Sequence, residues 1–125
     1  MTNKLAIDVG NVIFEGPYFK LVTDIKKSLE ILSDKYELFI LSSCGLETEN
    51  KCREELFKNG FNEIINENNW IFVRNKNSKI NKMKQLNIDY LIDDNEDTIK
   101  NCNKYRKRSG ILYTSWNEIL EKLNI

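Results

Sequence analysis

Short apolar runs recur along the chain and alternate with longer segments in which apolar residues appear every three or four positions. Residues 5–9 (LAIDV) and 36–41 (YELFIL) are the clearest apolar runs, and each is followed by glycine or serine. Runs of this length beside turn-forming residues predict buried strands. Further strands are predicted at residues 61–65, 89–92 and 110–113. Residues 70–73 (WIFV) fit either a strand or an irregular packed segment, and the pattern does not choose between them.

The intervening segments predict amphipathic helices. In residues 20–34, apolar side chains recur at Leu21, Ile25 and Leu29 with lysines between them, which is typical of a helix with one buried face. The other predicted helices are residues 48–59, 79–86, 96–107 and 116–123. Strands that alternate with helices indicate an α/β fold with a doubly wound, mostly parallel, five-stranded sheet. Ligands of such sheets bind beyond the carboxyl ends of the strands, where the strand order reverses.

Length and charge narrow the classes of function. A chain of 125 residues has the size of one domain, so residues 1–125 are expected to form a single domain. Nineteen basic residues offset nineteen acidic ones, which argues against a nucleic acid or a membrane surface as partner. Histidine is absent, which excludes Ser-His and Cys-His dyads and His-bound zinc within this chain. No signal-peptide pattern is present, so the expected location is the cytoplasm.

Polar residues stand at the ends of three predicted strands. Asp8 ends the first, Ser42 and Ser43 follow the second, and Asp93 and Asp94 follow the strand at 89–92. Because parallel strands end at the same edge of a sheet, we expect these side chains to converge. A carboxylate within an apolar strand is costly to bury unless it is paired or binds a metal. The convergence therefore predicts a functional site.

Four motifs occur in order along the chain. LAIDVGNVIF begins with an apolar strand that ends at Asp8, and FILSS carries Ser42. Lys79 lies fourteen residues before Asp93, and LIDDNED is an acidic cluster. Together they resemble the four motifs of the haloacid dehalogenase-like phosphohydrolase superfamily, and nearly the whole chain takes part. The resemblance implies a Rossmann-like core and Mg²⁺-dependent hydrolysis of phosphate monoesters through a phospho-aspartate.

The resemblance also implies which residues bind the metal. Asp8 would be both the nucleophile and a metal ligand, with Asp93, Asp94 and the backbone carbonyl of Gly10 as further oxygen ligands. Asp97 is a further carboxylate in the acidic motif, and the motif alone does not decide which of its aspartates touch the ion.

The phosphate group would be held by the remaining matched positions. Ser42 and Ser43 would bind phosphate oxygens, and Lys79 would balance the charge of Asp8 and of the transferring phosphoryl group. Lys82 competes for the lysine role, because it lies three residues further along the same predicted helix.

One position departs from the family pattern. The second aspartate of the first motif, which serves as general acid, is replaced by Gly10, and glycine cannot donate a proton. Glu15 and Glu47 are nearby candidates for that role. Two hypotheses stay open: an active phosphatase, or a catalytically weak or inactive binding or regulatory module on the same fold.

The spacing between motifs limits accessory structure. From Asp8 to Ser42 is 34 residues and from Ser42 to Lys79 is 37, which leaves no room for a cap domain. Similarity to capless relatives implies an open site, suited to a large or tethered phosphorylated substrate, to a nucleotide, or to a second copy of the chain acting as a lid. A receiver domain of a signalling relay has similar parts, but it carries its acidic pair at the first strand, opposite to the order here.

Overall fold

The computed structural model describes residues 2–125 and contains seven strands. Their bounds are β1 (Asn3–Ile7), β2 (Phe14–Glu15), β3 (Lys20–Leu21), β4 (Tyr36–Ser43), β5 (Trp70–Val73), β6 (Tyr90–Asp93) and β7 (Gly110–Leu112). Five of them form one sheet in the order β5-β4-β1-β6-β7, with every neighbouring pair parallel. The other two, β2 and β3, pair antiparallel as a small hairpin.

Five helices connect and flank the strands. Their bounds are α1 (Ile25–Ser33), α2 (Leu46–Lys58), α3 (Asn77–Leu86), α4 (Glu96–Tyr105) and α5 (Trp116–Lys122). Side chains alternate across a strand, so Leu5 and Ile7 of β1 join one core cluster with residues of α1 and α5. Ala6 joins a second cluster with Met83 of α3 and Cys102 of α4. Both faces of the sheet are therefore covered, as a parallel sheet requires.

The chain order around the sheet produces a switch point. From central β1 the chain moves outward to β4 and β5, then returns to the opposite side of β1 for β6 and β7. The strand order therefore reverses between β1 and β6, whose carboxyl ends carry Asp8 and Asp93. The predicted α/β, doubly wound, five-stranded fold is confirmed, and the sheet is entirely parallel. No cap domain is inserted among residues 2–125.

The first predicted helix begins later than its pattern suggests. Residues 20–21 form β3, with Leu21 opposite Phe14 of β2. The Val22 amide donates to the Ile13 carbonyl, and Asp24 then adopts a left-handed conformation immediately before α1. Leu21 contacts the core from the hairpin and Ile25 contacts it from α1. Their four-residue spacing is the same as that of one helical face, although only Ile25 is helical. The interpretation of residues 20–24 as helix was wrong.

The third predicted strand was also wrong. Residues Phe61–Glu63 form a 3₁₀ turn, and the Ile65 amide donates to the Phe61 carbonyl. The two buried side chains of this run are Phe61 and Ile65, four residues apart, which is a helical spacing. The fifth strand of the sheet is instead β5, where the pattern had left strand and irregular structure open. Its Trp70 indole donates to the Ile65 carbonyl at 2.9 Å and ties the turn to the sheet edge.

No helix among the described residues is long and apolar enough to cross a membrane.

Candidate functional site

Two aspartates are buried side by side at the switch point. Asp8 directly follows β1 and Asp93 ends β6, and the Asp8 amide donates to the Ile92 carbonyl at 3.0 Å across the two strands. Asp8 is 8% exposed and Asp93 is 1% exposed. Such burial is tolerable only when the carboxylates have partners.

The partner of both carboxylates is Lys79. This residue lies in the first turn of α3, and its Nζ is 3.0 Å from Asp8 Oδ1 and 2.7 Å from Asp93 Oδ2. Asp8, Lys79 and Asp93 are called the buried triad below. Asp8 follows β1, Lys79 lies in α3 and Asp93 ends β6, so the triad joins three separate elements of the fold.

The triad is short of positive charge. Burial raises the pKa of Asp8 more than any other factor, Lys79 lowers it, and the charge of Asp93 raises it further. The net result is a pKa of about 7. Burial alone would lower the pKa of Lys79, but the charges of Asp8 and Asp93 outweigh it and raise that pKa above its ordinary value. Lys79 is therefore a fixed cation, and one cation does not neutralise two buried carboxylates.

A third carboxylate lies beside the triad. Oxygen atoms of Asp8, Asp93 and Asp94 lie within 4.8 Å of one another, and Asp94 is exposed. Three carboxylates and one ammonium leave a formal charge of −2, which matches a divalent cation. Carboxylate oxygens are the ligands that Mg²⁺ prefers. The residues present therefore fit a magnesium ion, and Asp97, exposed in the first turn of α4, is not part of this cluster.

Asn11 orients that third carboxylate. Its Nδ2 donates to Asp94 Oδ2 at 3.0 Å, from a backbone held in the left-handed region with φ 63°. Asparagine tolerates this conformation better than most residues. Asn95 performs a similar task for the buried aspartate, because its amide donates to Asp93 Oδ1 at 2.9 Å while its side chain caps α4 at Thr98.

The triad opens into a cavity of about 330 Å³. Gly10, Ser42 and Ser43 line it, so the structure brings these sequence-predicted residues to the same place as the carboxylates. Several further lining residues carry no motif in the sequence that would predict them, namely Asn11, Phe14, Phe19, Cys44, Thr48, Cys52, Lys76, Asn95 and Thr98. The four-residue spacing of Thr48 and Cys52 was the one available signal, because it puts both on one face of α2.

The structure separates the two competing lysines. Lys82 Nζ donates to Gln85 Oε1 at 3.0 Å, and Lys82 does not line the cavity. The geometry therefore favours Lys79 for the lysine role, in agreement with the spacing argument.

The two candidate acids lie elsewhere. Glu15 is half exposed, with its Oε1 4.0 Å from Lys20 Nζ in the hairpin, and Glu47 is exposed in the first turn of α2. Neither lines the cavity. At Gly10, an added Cβ would meet no atom within 4 Å, and the backbone is outside the left-handed region. A larger residue is therefore compatible with this turn.

No protein-family model matches the chain, and no curated protein matches it significantly. The function is therefore inferred from the residues and geometry of the site itself.

Removing the triad's cation should destabilise the fold. In metal-free buffer we expect Lys79→Met to lower the free energy of unfolding by about 3 kcal/mol or more, because it leaves two buried carboxylates unpaired. Urea denaturation measures the change. The matched variant Lys82→Met should stay within about 0.5 kcal/mol of the parent. A Lys79→Met protein as stable as Lys82→Met would contradict this account of the triad.

Proposed function

We propose that this chain is a Mg²⁺-dependent phosphomonoester hydrolase that acts through a phosphorylated Asp8. The observation that carries the proposal is the arrangement of Asp8, which is ion-paired to Lys79, clustered with Asp93 and Asp94, and open to a cavity at the switch point. The resemblance of the four motifs to haloacid dehalogenase-like phosphohydrolases supports the same conclusion.

The reaction divides into two displacements at phosphorus. In the first, an Asp8 carboxylate oxygen forms a bond to phosphorus while the bond from phosphorus to the ester oxygen breaks, and the departing oxygen takes up a proton from solvent water. In the second, water attacks the phosphorus of the aspartyl phosphate and releases inorganic phosphate, which restores the Asp8 carboxylate. The strand end at β1 supplies a nucleophile whose position is fixed by Lys79.

The remaining residues would neutralise negative charge and bind the phosphate oxygens. Lys79 offsets the charge that Asp8 and the phosphoryl group bring together, and the hydroxyls of Ser42 and Ser43 at the end of β4 donate to phosphate oxygens. Asp93 and Asp94, together with Asp8 and the Gly10 carbonyl, would hold Mg²⁺. When bound, the ion neutralises negative charge on the phosphoryl oxygens.

A second candidate is a phosphate-binding module with little or no turnover. It is favoured by the lining of the cavity, because among residues 2–125 the only carboxylates that line it are the three aspartates of the cluster. Both candidates bind phosphate with Mg²⁺, and turnover separates them.

Phosphate release tests the proposal directly. With Mg²⁺ we expect inorganic phosphate to be released from 4-nitrophenyl phosphate, and Asp8→Asn to reduce the rate at least 1,000-fold, roughly the scale of losing an essential nucleophile. Asp97→Asn is the matched control, since this exposed aspartate lies outside the cluster, and it should keep the parent rate. Phosphate binding without release would support the non-catalytic module. Equal rates in Asp8→Asn and the parent would refute Asp8 as nucleophile.

Thermal unfolding tests the metal site without any substrate. A ligand at 100 times its Kd that binds only the folded state adds about 2.7 kcal/mol of stability, which is roughly a 10 °C rise in Tm for a domain of this size. We expect Mg²⁺ to produce such a rise in the parent and in Asp97→Asn. Asp94→Asn should reduce it, and Asp93→Ala should abolish it. An Asp93→Ala protein that retains the full rise would contradict the assignment.

Restoring an acid at position 10 tests the consequence of the missing aspartate. A general acid contributes about 10²–10⁴-fold when the leaving group is poor. We expect Gly10→Asp to raise the rate on an alkyl phosphate, such as glycerol phosphate, by at least about tenfold relative to an aryl phosphate. The open space at Gly10 makes the variant structurally acceptable.

Gly45→Asp is the control for that experiment. It adds the same carboxylate at a position that also has open space but does not line the cavity, and it should leave the ratio of the two rates unchanged. A well-folded Gly10→Asp protein with an unchanged ratio would show that proton donation at this position does not limit the reaction.

A further inference from the structure

One wall of the candidate cavity is apolar and aromatic. Phe14 and Phe19 line the same cavity as Asp8, Lys79 and Asp94. Both come from the hairpin segment between β1 and α1, in which Phe14 belongs to β2 and Phe19 immediately precedes β3. The cavity therefore has an anionic, metal-ready end and an aromatic side.

The two rings form a rigid edge-to-face pair. Their centroids are 5.5 Å apart with the planes inclined at 73°, and Phe14 makes a second such contact with Phe61 of the core at 6.0 Å and 75°. Phe14 is buried, whereas Phe19 is half-buried. The array is anchored in the core on one side and reaches the cavity on the other, so a third ring could continue it in the geometry that aromatic pairs prefer.

The backbone at Phe19 adopts a conformation that is unusual for a bulky side chain. Phe19 has φ 54°, a left-handed conformation that is unfavourable for a bulky residue and that glycine or asparagine would adopt at lower cost. The turn itself therefore does not call for phenylalanine. What phenylalanine adds at this position is the contact with Phe14 and an apolar surface facing the cavity.

The site chemistry points to the same kind of ligand. Position 10 is glycine and neither Glu15 nor Glu47 lines the cavity, so the described residues offer no carboxyl group outside the aspartate cluster to protonate a leaving group. A phenol ionises near pH 10, as tyrosine does, and is a far better leaving group than an alkyl alcohol. The volume of about 330 Å³ lies at the lower end for small-molecule sites, which suits a phosphate with a single ring.

We propose that the site is specific for phosphate monoesters of small phenols, with the aromatic ring of the substrate packed against Phe19 and Phe14. The inference rests on the proposed function, because it assigns the substrate class of that same site. Phe19 is the specificity-determining residue, and it acts on binding of the leaving group and not on the phosphate.

Stable phosphonates separate binding of the phosphate group from binding of the aromatic ring. Isothermal titration of the Mg²⁺-loaded protein compares methylphosphonate, cyclohexylphosphonate and phenylphosphonate, none of which can be hydrolysed at phosphorus. We expect phenylphosphonate to bind at least about tenfold more tightly than methylphosphonate and about threefold more tightly than cyclohexylphosphonate, since aromatic pairing adds to apolar burial.

Variants show which residue is responsible for the tighter binding of phenylphosphonate. Phe19→Ala should reduce the phenyl-to-methyl ratio below about threefold while leaving methylphosphonate affinity within about twofold of the parent. Phe19→Leu, which keeps apolar volume if the alanine variant loosens the hairpin, should remove the phenyl-to-cyclohexyl preference. Tyr18→Ala is the matched control, because Tyr18 is the neighbouring aromatic residue, is 91% exposed and does not line the cavity; it should bind all three compounds as the parent does.

The outcomes distinguish a failure of the proposed function from a failure of the aromatic specificity. If the parent binds none of the phosphonates, the proposed function fails and this inference fails with it. If methylphosphonate binds but the phenyl group adds nothing, or the gain survives in both Phe19 variants, the aromatic wall is overturned and the proposed function stands. Equal affinity for cyclohexyl and phenyl groups would also overturn the specificity for aromatic rings.

Discussion

Two carboxylates buried next to each other dictate how the centre of this protein must be built. Asp8 and Asp93 end neighbouring strands, and without Lys79 their burial would oppose folding. The lysine arrives from α3, which packs on the sheet face opposite α1 and α5. The position of α3 on the sheet is thus constrained by the charge balance, because Lys79 must reach both strand ends. Because a single ammonium leaves this region negative, the fold carries at its switch point an electrostatic demand that a divalent cation would meet.

The loop after β1 is shaped to keep that region open and ordered. The amides of Val12, Ile13 and Phe14 all point toward the Val9 carbonyl, and the Trp116 indole of α5 donates to the Val12 carbonyl at 2.9 Å. This fixed turn lets Gly10 and Asn11 face the cavity while the apolar residues behind them join the core. The helix that closes the fold therefore also determines where the loop of the site lies.

Strand ends could be predicted from sequence because their signal is local and strong. An aspartate in LAIDV or LIDD stands out against its apolar neighbours, and parallel topology brings such ends together. The hairpin at residues 14–21 and the 3₁₀ turn at Phe61 could not be read in the same way, since their apolar residues fit other periods equally well. Asn11 and Phe19 escaped for a different reason. Both residues have left-handed backbone conformations and take their places in the site through contacts with other residues. Neither feature can be recognised from the residue type alone.

The missing acid and the aromatic wall are best understood together. An open, capless site cannot rely on enclosure to strengthen a weak proton donor, because water screens the interaction. Selectivity for a leaving group that departs as a stable anion removes the need for that donor. Phe14 and Phe19 line the cavity as an edge-to-face pair, and under the proposed function they would supply that selectivity through apolar contact, which does not depend on exclusion of water from the charged end. Under the proposed function, Gly10 and the hairpin would therefore be linked, because a leaving group that departs as a stable anion needs no proton donor at position 10.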